Sequence, residues 1–515
     1  MKLSKETFYD KVFGCWMGKN IGGTLGMPVE WMRQKNNFTF YSQDLSEPAP
    51  NDDLDLQLIW LLCAEERGIK LTSKDLAEYW LNYQVANYSE YGVAKANLKA
   101  GFLPPLSGTI GNEYKDSCGA YIRSEIWACM CPGRPDLAAQ YCYEDAIVDH
   151  GNGEGTYAAL FAGAMEAAAF VESDLRKLIE IGLSYIPEDC GTAAAIKTAI
   201  ECYDGGKTWE ECRDTILERH RGSVFFKRMF VCAKEDQEKG FHKGKVGYDV
   251  PSNIGFVVAG MLYGEGDFDK CMCITVNMGE DTDCTAGTVG AIFGIIYGYK
   301  NIPQKWVEPI GHGIKSICCS VAHGPFFPTT IENLTDRTIK LTKQVSLYYK
   351  DKDEMDTMDV FGDTDDLSDV KKDKLYFQNT WAYPRREVLM SMNGPRFDSY
   401  LFSAALDYEQ TYLEPGGEAN ITLKIAPNEW IEPNNLIVEW ISDDLDVQPQ
   451  TKICIPMWQR YFRYVEKVKF TVSSEFTEPI YHATIKISIP GRPTSMFIPV
   501  TLTSWNRPED PYFEG

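Results

Sequence analysis

The spacing of apolar residues changes once along the chain, and this change constrains the fold more than any other feature. Up to about residue 345, apolar side chains recur at helical spacing, as Leu54, Leu58 and Leu61 do on one face. Later segments alternate apolar with polar residues, which is typical of half-buried strands. The sequence therefore predicts a multidomain α and β protein. The clearest alternations are Ile421/Leu423/Ile425, Val468/Phe470/Val472, Ile485/Ile487/Ile489 and Ile498/Val500/Leu502.

The 515 residues are too many for one ordinary domain, and we expect three segments. Residues 1–345 should form an all-α bundle, because several of their helical stretches are apolar almost all round. Residues 346–390 include the acidic run DKDEMDTMDVFGDTDDLSDVKKD, which predicts an exposed linker. Residues 391–515, with about seven short strands, should form an immunoglobulin-like β-sandwich.

The charge balance disfavours some classes of partner. Asp and Glu outnumber Lys and Arg by 74 to 51, and the net charge of -23 repels nucleic acids and anionic lipid surfaces. No apolar run reaches the roughly 18 residues that span a bilayer, and MKLSKETFYDKVFGCW lacks a signal peptide's apolar core. All but one of the 16 cysteines lie at or before Cys319 in helix-like text, which is typical of reduced thiols. We therefore expect a cytoplasmic protein with no nucleic-acid or membrane partner.

Two acidic clusters lie directly before apolar helical stretches: NDDLD at residues 51–55 and GEDTDC at residues 279–284. Hard cations such as Mg²⁺ and Mn²⁺ prefer carboxylate and carbonyl oxygens, which two facing helix starts can supply. Asp and Asn are also favoured helix caps, so each cluster taken alone is more typical of a cap. A cap needs only one oxygen, however, and several carboxylates at one helix start repel each other unless a cation gathers them.

Glycines mark two further segments. Gly18, Gly22 and Gly26 recur at a spacing of four, which predicts a helix face that another helix approaches closely. Glu30 follows them and by itself is an ordinary surface acid. The second segment, HGNGEGT at residues 150–156, opens a helix, and its free backbone amides could bind a phosphate or a sugar hydroxyl. Glycine-rich capping explains this second segment equally well.

In order and spacing, these pieces resemble the ADP-ribosylglycohydrolase family over about residues 8–340. GCWMGKNIGGTLGMPVE is similar to the family's first helix, NDDLDLQLIWLL to its first metal motif, and VNMGEDTDCTAGTVGAIFGIIYG to its second. The segment SCGAYIR at residues 117–123 resembles a weaker copy of the family's Asn-Gly substrate loop. The resemblance does not extend to the sandwich.

The resemblance implies an all-helical domain that holds two Mg²⁺ or Mn²⁺ ions, binds the ribose hydroxyls of an ADP-ribosyl group and cleaves its anomeric bond. The partner would be a small-molecule or ADP-ribosylated substrate. Glu30 matches the acid beside the scissile bond, and Glu30 and Asp53 are the implied catalytic residues. The implied metal ligands are Asn51, Asp52, Asp53, Asp281, Asp283 and Cys284. The implied substrate-binding residues are Ser117, Cys118, Gly119, Arg123, His150 and Gly151.

Four positions depart from the family pattern. Asn51 and Cys284 stand where Thr is usual, Gly23 where an Asp is common, and Cys118 where the substrate loop has Asn. An Asn carbonyl oxygen can replace a hydroxyl on a hard ion, but a thiol is a poor match for Mg²⁺. These departures leave the second ion and the ADP part of the substrate open.

Two other functions also remain open. A binuclear-metal glycoside hydrolase that acts on a furanosyl or other small glycoside without ADP would account for the altered Cys118 loop and the appended sandwich. A catalytically silent protein would use the helical domain as a ligand receptor and the sandwich for protein or glycan contact. It would bind ligand without forming product.

Overall fold

The computed structural model describes residues 2–222, 231–320, 326–349, 359–378, 394–399, 401–427, 434–449, 452–457, 465–475, 478–493 and 495–505. Helices dominate up to residue 349, and strands dominate from residue 394 onward. The change of element type therefore falls where the hydrophobic period changes. None of the helices in these ranges is long and apolar enough to cross a membrane.

The helical part is built from seventeen α-helices, as far as the described residues show. These are α1 Lys5–Gly26, α2 Asp52–Arg67, α3 Ser73–Tyr83, α4 Ser89–Lys99, α5 Leu106–Thr109, α6 Glu125–Met130, α7 Pro135–Ala146, α8 Glu154–Ala169, α9 Leu175–Ser184, α10 Gly191–Asp204, α11 Trp209–His220, α12 Lys234–Glu238, α13 Val250–Tyr263, α14 Phe268–Asn277, α15 Thr282–Tyr297, α16 Gln304–Val307 and α17 Ile331–Tyr349.

Four short strands accompany these helices, so this part of the chain is helical but not strictly all-α. They form two parallel pairs, in which main-chain hydrogen bonds join segments that are far apart in the sequence. The first pair is β1 Lys2–Ser4 with β4 Asp359–Gly362, and the second is β2 Met32–Arg33 with β3 Val231–Cys232.

The described part of the acidic run is exposed at residues 363–369, as its composition predicts, but it also makes specific contacts with the start of the chain. Val360 of β4 is fully buried, because β4 pairs with β1. The Asp365 carboxylate accepts hydrogen bonds from the backbone N–H of Ser4 at 2.6 Å and from Thr7 Oγ1 at 2.7 Å. Acids of this run therefore secure the start of α1. Residues 350–358 and 379–390 of the predicted linker lie outside the described ranges.

Two compact units divide the chain. One comprises Met1–Gly92 with Glu113–Gln378, and the other comprises Val93–Asn112 with Asn379–Gly515. Phe102 belongs to the hydrophobic cluster of the second unit, although it lies in the part of the sequence that was predicted to be helical. The division at residues 345 and 390 stays a prediction.

The glycines of α1 let this helix lie directly against α15. A Cβ on Gly18 would overlap the backbone carbonyl of Gly290, and a Cβ on Gly22 would overlap that of Ala286. The requirement is mutual, since a Cβ on Gly290 would overlap the carbonyl of Gly18. The predicted glycine face is therefore confirmed, and it fixes how far α1 can slide along α15.

The strand-rich part forms two antiparallel sheets. In its described residues one sheet has five strands in the order β5-β6-β7-β11-β9, and the other has four in the order β10-β8-β12-β13. Their inward side chains, with Ile421 and Ile485 as examples, form one hydrophobic cluster. The predicted alternation is thus confirmed. The bounds are β5 Arg396–Asp398, β6 Phe402–Tyr408, β7 Glu418–Pro427, β8 Asn434–Ile441, β9 Asp446–Gln448, β10 Lys452–Met457, β11 Glu466–Ser473, β12 Ile480–Ser488 and β13 Ser495–Thr503.

The glycine contact yields a stability prediction. Gly22→Ala should lower the free energy of unfolding by roughly 1–3 kcal/mol, because the added methyl overlaps backbone and forces the helices apart. This loss should outweigh the helix-propensity gain of about 1 kcal/mol. Urea unfolding followed by circular dichroism would measure it. Gly313→Ala is the matched control, since its Cβ would meet only Pro48 Cδ, at 3.8 Å; equal effects at both positions would contradict the prediction.

Candidate metal centre

Three helix ends supply the acidic side chains of this centre. α1 continues into one turn of 3-10 helix, and half-buried Glu30 follows it directly. Asn51 precedes α2 and Asp281 precedes α15. A Cβ on Gly26 would overlap the backbone nitrogen of Asp283, so the end of α1 lies against the start of α15. The glycine contact therefore brings the residues after α1 to the second acidic cluster.

Two sets of ligand atoms converge at these helix ends. One set comprises Glu30, Asp281 and Asp283, and within it the chosen atoms all lie within 4.8 Å of one another. Asp53, Asp283 and Cys284 form a second set by the same distance, and all three are buried. Because Asp283 belongs to both sets, the two positions are adjacent. The first set is entirely carboxylate, whereas the second includes a thiol.

The side chains that begin α2 and α15 do not act as ordinary caps. Neither Asn51 nor Asp281 makes a capping hydrogen bond with its side chain. Within the described part of the chain, both amide atoms of Asn51, Oδ1 of Asp281 and Oδ1 of Asp283 are buried without a hydrogen-bond partner. Buried polar atoms are normally paired. Unpaired buried oxygens from several carboxylates therefore fit a divalent cation better than a helix cap.

Burial and mutual repulsion raise the carboxyl pKa values of the centre. Burial first, then the neighbouring Asp53 and Asp55, raises the pKa of Asp52 to about 8. The pKa of Glu30 is raised by burial and by Asp281, and that of Asp283 by burial and by Glu30. Proton uptake is one way to relieve this concentration of negative charge, and a bound cation is the other.

Gly23 and Asn51, two of the departures from the family pattern, lie in contact. A Cβ on Gly23 would overlap the side-chain amide nitrogen of Asn51. The Asn51 side chain therefore fills the space that a side chain at position 23 would need. Asp55, from the same acidic cluster, is engaged elsewhere: its Oδ2 accepts the backbone N–H of Ile317 at 2.6 Å and of Cys318 at 2.5 Å.

A buried lysine lies beside the second set of ligands. Lys19 of α1 is fully buried, with its Nζ 3.3 Å from Asp53 Oδ2 and 3.0 Å from Glu125 Oε1. Burial lowers the pKa of Lys19, but the attraction of Glu125 and Asp53 outweighs burial and leaves the pKa above its usual value. Gln57 Nε2 donates to the other oxygen of Glu125 at 2.8 Å. This ammonium ion is therefore a fixed positive charge next to Asp53.

A buried ion pair positions the loops that carry Glu30 and Asp281. Arg33 of β2 pairs with Glu280 through two guanidinium nitrogens, one of them at 2.9 Å from Glu280 Oε2. Arg33 also donates to the carbonyl of Gly222 at 2.8 Å. Glu280 has a φ of 71°, a left-handed conformation that is unusual for this residue type. The pair therefore stabilises a strained backbone immediately before Asp281.

The proposed substrate residues Ser117, Gly119, His150 and Gly151 lie together in a buried, closely packed region. Ser117 Oγ lies 3.2 Å from His150 Nε2, and His150 Nδ1 lies 2.9 Å from Asp149 Oδ1, with all three side chains buried. A Cβ on Gly119 would overlap Glu90 Oε1. Gly151 follows with a φ of 49°, which its lack of a side chain permits. The structure thus brings together the segments 117–123 and 150–156, which are separate in the sequence.

Arg123 is placed differently from the other predicted substrate residues. It is fully buried, and its guanidinium donates to Asp145 at 2.8 Å, to both oxygens of Asp149 at 2.6 and 3.0 Å, and to the Gly119 carbonyl at 2.6 Å. Asp149 in turn contacts His150. Arg123 therefore orients the histidine through protein contacts.

Cys118 connects the substrate loop to the second acidic cluster. Its Sγ and carboxylate oxygens of Asp249 and Asp281 lie within 4.8 Å of one another, and all three residues are buried.

Four residues of the site were not identified from the sequence: Asp249, Glu90, Lys19 and Arg33. In the sequence, Asp249 is a single acid directly before α13, which is typical of a helix cap. Lys19 offered a clearer signal, because it is a charge inside an apolar, glycine-rich helix.

Comparison with known proteins assigns the family of this fold and centre. The sequence model of the ADP-ribosylglycohydrolase family matches residues 4–346. The chain therefore belongs to the ADP-ribosylglycohydrolase family, as the motifs predicted. Membership supports a glycohydrolase-type function.

The individual relatives are distant. The ADP-ribosylarginine hydrolase Tri1 of Serratia proteamaculans is 35% identical over 49 residues, which are 10% of this chain and 13% of that protein. An uncharacterized protein of Archaeoglobus fulgidus is 23% identical over 314 residues, covering 58% of this chain and 91% of its own length. A solved structure titled ADP-ribosylglycohydrolase-related protein complex matches at a TM-score of 0.42 and 16% identity, over 65% of this chain and 99% of that one.

The raised pKa values predict how stability depends on pH without metal. Above the ordinary carboxyl pKa of about 4, the folded chain should hold protons at Glu30, Asp52 and Asp283 that the unfolded chain has released. The free energy of unfolding should then fall as pH rises, by up to about 1.4 kcal/mol per pH unit for each extra proton. Urea unfolding of metal-stripped protein between about pH 5 and about pH 8 would measure the slope.

Two comparisons isolate the centre from the rest of the chain. Asp283→Asn removes one of the titrating carboxyls, so the slope should become shallower. Added Mn²⁺ should reduce the slope in the original protein, because the ion replaces the protons. Equal slopes in all three samples would contradict the prediction.

Proposed function

We propose that this chain is a divalent-metal-dependent hydrolase that cleaves the anomeric bond of an ADP-ribosyl group. The convergence of Glu30, Asp281 and Asp283 from two helix ends, with unpaired buried carboxylate oxygens, carries the proposal. A cluster of this kind suits Mg²⁺ or Mn²⁺, which take oxygen ligands. Family membership supports the glycosidic class of the bond.

The proposed ligands divide into a central and a flanking group. Asp53, Asp281 and Asp283 supply the central carboxylates. Asn51 and Asp52 flank them at the start of α2, and Cys284 adds a thiol at the start of α15. A bound divalent ion would orient the sugar diol and polarise a water molecule. The chain's own part is to fix the carboxylates on three helix ends, so that little reorganisation accompanies substrate binding.

Glu30 is the proposed general acid or base. Its half-buried carboxyl follows a rigid helix and lies beside Asp281 and Asp283. Burial and Asp281 raise its pKa, which favours the protonated form. Protonated Glu30 can give its proton to the leaving-group atom as the anomeric bond breaks, and ionised Glu30 can take a proton from the attacking water. Asp53, held by Lys19, is the second proposed catalytic carboxylate.

The residues around His150 are the proposed substrate side. Ser117 and His150 offer a hydroxyl and an imidazole, while Gly119 packs against Glu90 and Gly151 permits the turn that follows His150. Cys118 lies close to Asp281, where it can contact the sugar. Arg123 is proposed as a positioning residue, because its guanidinium already donates to Asp145, Asp149 and the Gly119 carbonyl.

For residues 391–515 we propose an immunoglobulin-like sandwich. The neighbours β6-β7-β11 in one sheet and β8-β12-β13 in the other match the A-B-E and C-F-G order of that fold. The shared hydrophobic cluster supports face-to-face packing of the two sheets.

Two competing functions lead to different assays. The contact of Cys118 with Asp249 and Asp281 gives the substrate loop a chemistry that differs from the family pattern, which favours a small glycoside without ADP. A panel of ADP-ribosylated peptide, O-acetyl-ADP-ribose and nitrophenyl furanosides would identify the substrate by turnover. Ligand binding without product from any of them would support the catalytically silent alternative and contradict hydrolysis.

Glu30→Gln should lower kcat by roughly a hundredfold to ten-thousandfold, because the amide cannot transfer the proton. Its amide oxygen can still reach the ion, so the affinity for Mn²⁺ should fall less than in Asp283→Ala, which removes a ligand atom altogether. Initial rates and calorimetric Mn²⁺ titration would measure the two effects. Glu201→Gln, at an exposed acid that pairs with Arg219, is the control and should retain full activity. Full activity in Glu30→Gln would remove Glu30 from the mechanism.

Asp283→Ala should abolish metal-dependent ADP-ribose binding, because Asp283 belongs to both ligand sets. The measurement is calorimetric titration of ADP-ribose into metal-stripped protein, with and without Mn²⁺. Asp204→Ala, at an exposed acid paired with Arg176, should behave as the unmodified protein. Metal-dependent ADP-ribose binding by Asp283→Ala equal to that of Asp204→Ala would contradict the proposed centre.

A further inference from the structure

The two ligand positions of the metal centre have different surroundings. Glu30, Asp281 and Asp283 offer a set made only of carboxylates. The neighbouring position, formed by Asp53, Asp283 and Cys284, contains a thiol and lies beside the ammonium group of Lys19. Positive charge is therefore already present at one of the two positions.

Protein groups lie close to both oxygens of Asp53, although Oδ2 has an ion-pair contact and no hydrogen bond within the described part of the chain. Oδ2 lies 3.3 Å from Lys19 Nζ, and Oδ1 accepts a hydrogen bond from Cys284 Sγ at 3.4 Å. A divalent ion on Asp53 would have to displace one of these contacts and remain close to a buried ammonium. Two like charges in a buried site repel strongly, because little solvent screens them.

The surrounding residues hold Lys19 in this place. Its second carboxylate partner, Glu125, is fully buried and 3.0 Å from Nζ. Gly287 of α15 leaves room for the lysine, since a Cβ there would lie 3.1 Å from Lys19 Cδ and 3.3 Å from both Lys19 Nζ and Asp53 Oδ2. The lysine cannot extend to solvent, because its side chain is fully buried. The ammonium is thus a built component of the centre.

We propose that Lys19 takes the place of one divalent ion, so that the chain binds a single ion at the position formed by Glu30, Asp281 and Asp283. This inference rests on the proposed function, because it concerns the same centre. The lysine supplies one permanent positive charge between Asp53 and Glu125, and the remaining ion supplies the positive charge beside Glu30, Asp281 and Asp283. Cys284, a poor ligand for a hard ion, then serves as a hydrogen-bond donor to Asp53.

The test counts the Mn²⁺ ions bound per chain. Full-length, metal-stripped protein is titrated with Mn²⁺, and free Mn²⁺ is followed by electron paramagnetic resonance. The unmodified protein should bind one ion. Lys19→Met should bind two, because its side chain has a similar length and no charge, and Asp53 becomes available. Lys19→Arg keeps the charge and should still bind one.

A second variant guards against misfolding. Lys19→Met alone leaves Glu125 buried without its cation, which is destabilising. The double variant Lys19→Met/Glu125→Gln removes one charge of each sign and keeps the hydrogen-bond acceptor at position 125, so it should fold and bind two ions. Lys11→Met is the control on the same helix. Lys11 Nζ donates to the carbonyls of Ile295 and Ile296 instead of to an acid of the metal centre, so this variant should bind one ion.

The outcomes separate this inference from the proposed function. Two ions on the unmodified protein, or one ion on the double variant, would overturn the role of Lys19 while leaving metal-dependent hydrolysis intact. No ion on the unmodified protein would overturn both. One ion on the unmodified protein and two on the double variant would establish it.

Discussion

The contact between α1 and α15 is the constraint on which the centre depends. Side chains normally hold two helices apart, but here Gly18 and Gly22 face backbone carbonyls directly. Such a contact holds the two backbones close together and tolerates only small side chains between them. It puts Glu30 next to Asp281, although 250 residues separate them in the sequence. The chemistry of the centre is therefore set by backbone packing that lies outside it.

Buried cations balance buried acids throughout the helical unit. Lys19 faces Asp53 and Glu125, Arg33 faces Glu280, and Arg123 faces two aspartates. Each cation lies at the margin of the centre and orients groups that can contact a ligand. The carboxylates without such a partner, chiefly Asp281 and Asp283, are left for an external cation. The internal ion pairs thus determine which acids stay available.

Local sequence signals predicted the helices, the strands and the acidic clusters, but only some of the contacts that the acidic residues make. The helical and alternating periods correctly placed the helix-rich and strand-rich parts, and the glycine spacing correctly indicated a close helix contact. Glu90 and Asp249 gave no signal in the sequence, because each is a single acid that only the folded chain brings close to the other site residues. The acid-rich composition around Asp365 correctly indicated exposure, but it did not show that this carboxylate accepts hydrogen bonds from Ser4 and Thr7 at the start of α1.

The contact between Gly23 and Asn51 has a consequence for how such a centre can change over time. Since the amide of Asn51 occupies the space of a side chain at position 23, an aspartate there requires the Asn51 side chain to turn away or to be replaced. The two departures are therefore coupled, because the residue at position 51 limits which residues position 23 accepts.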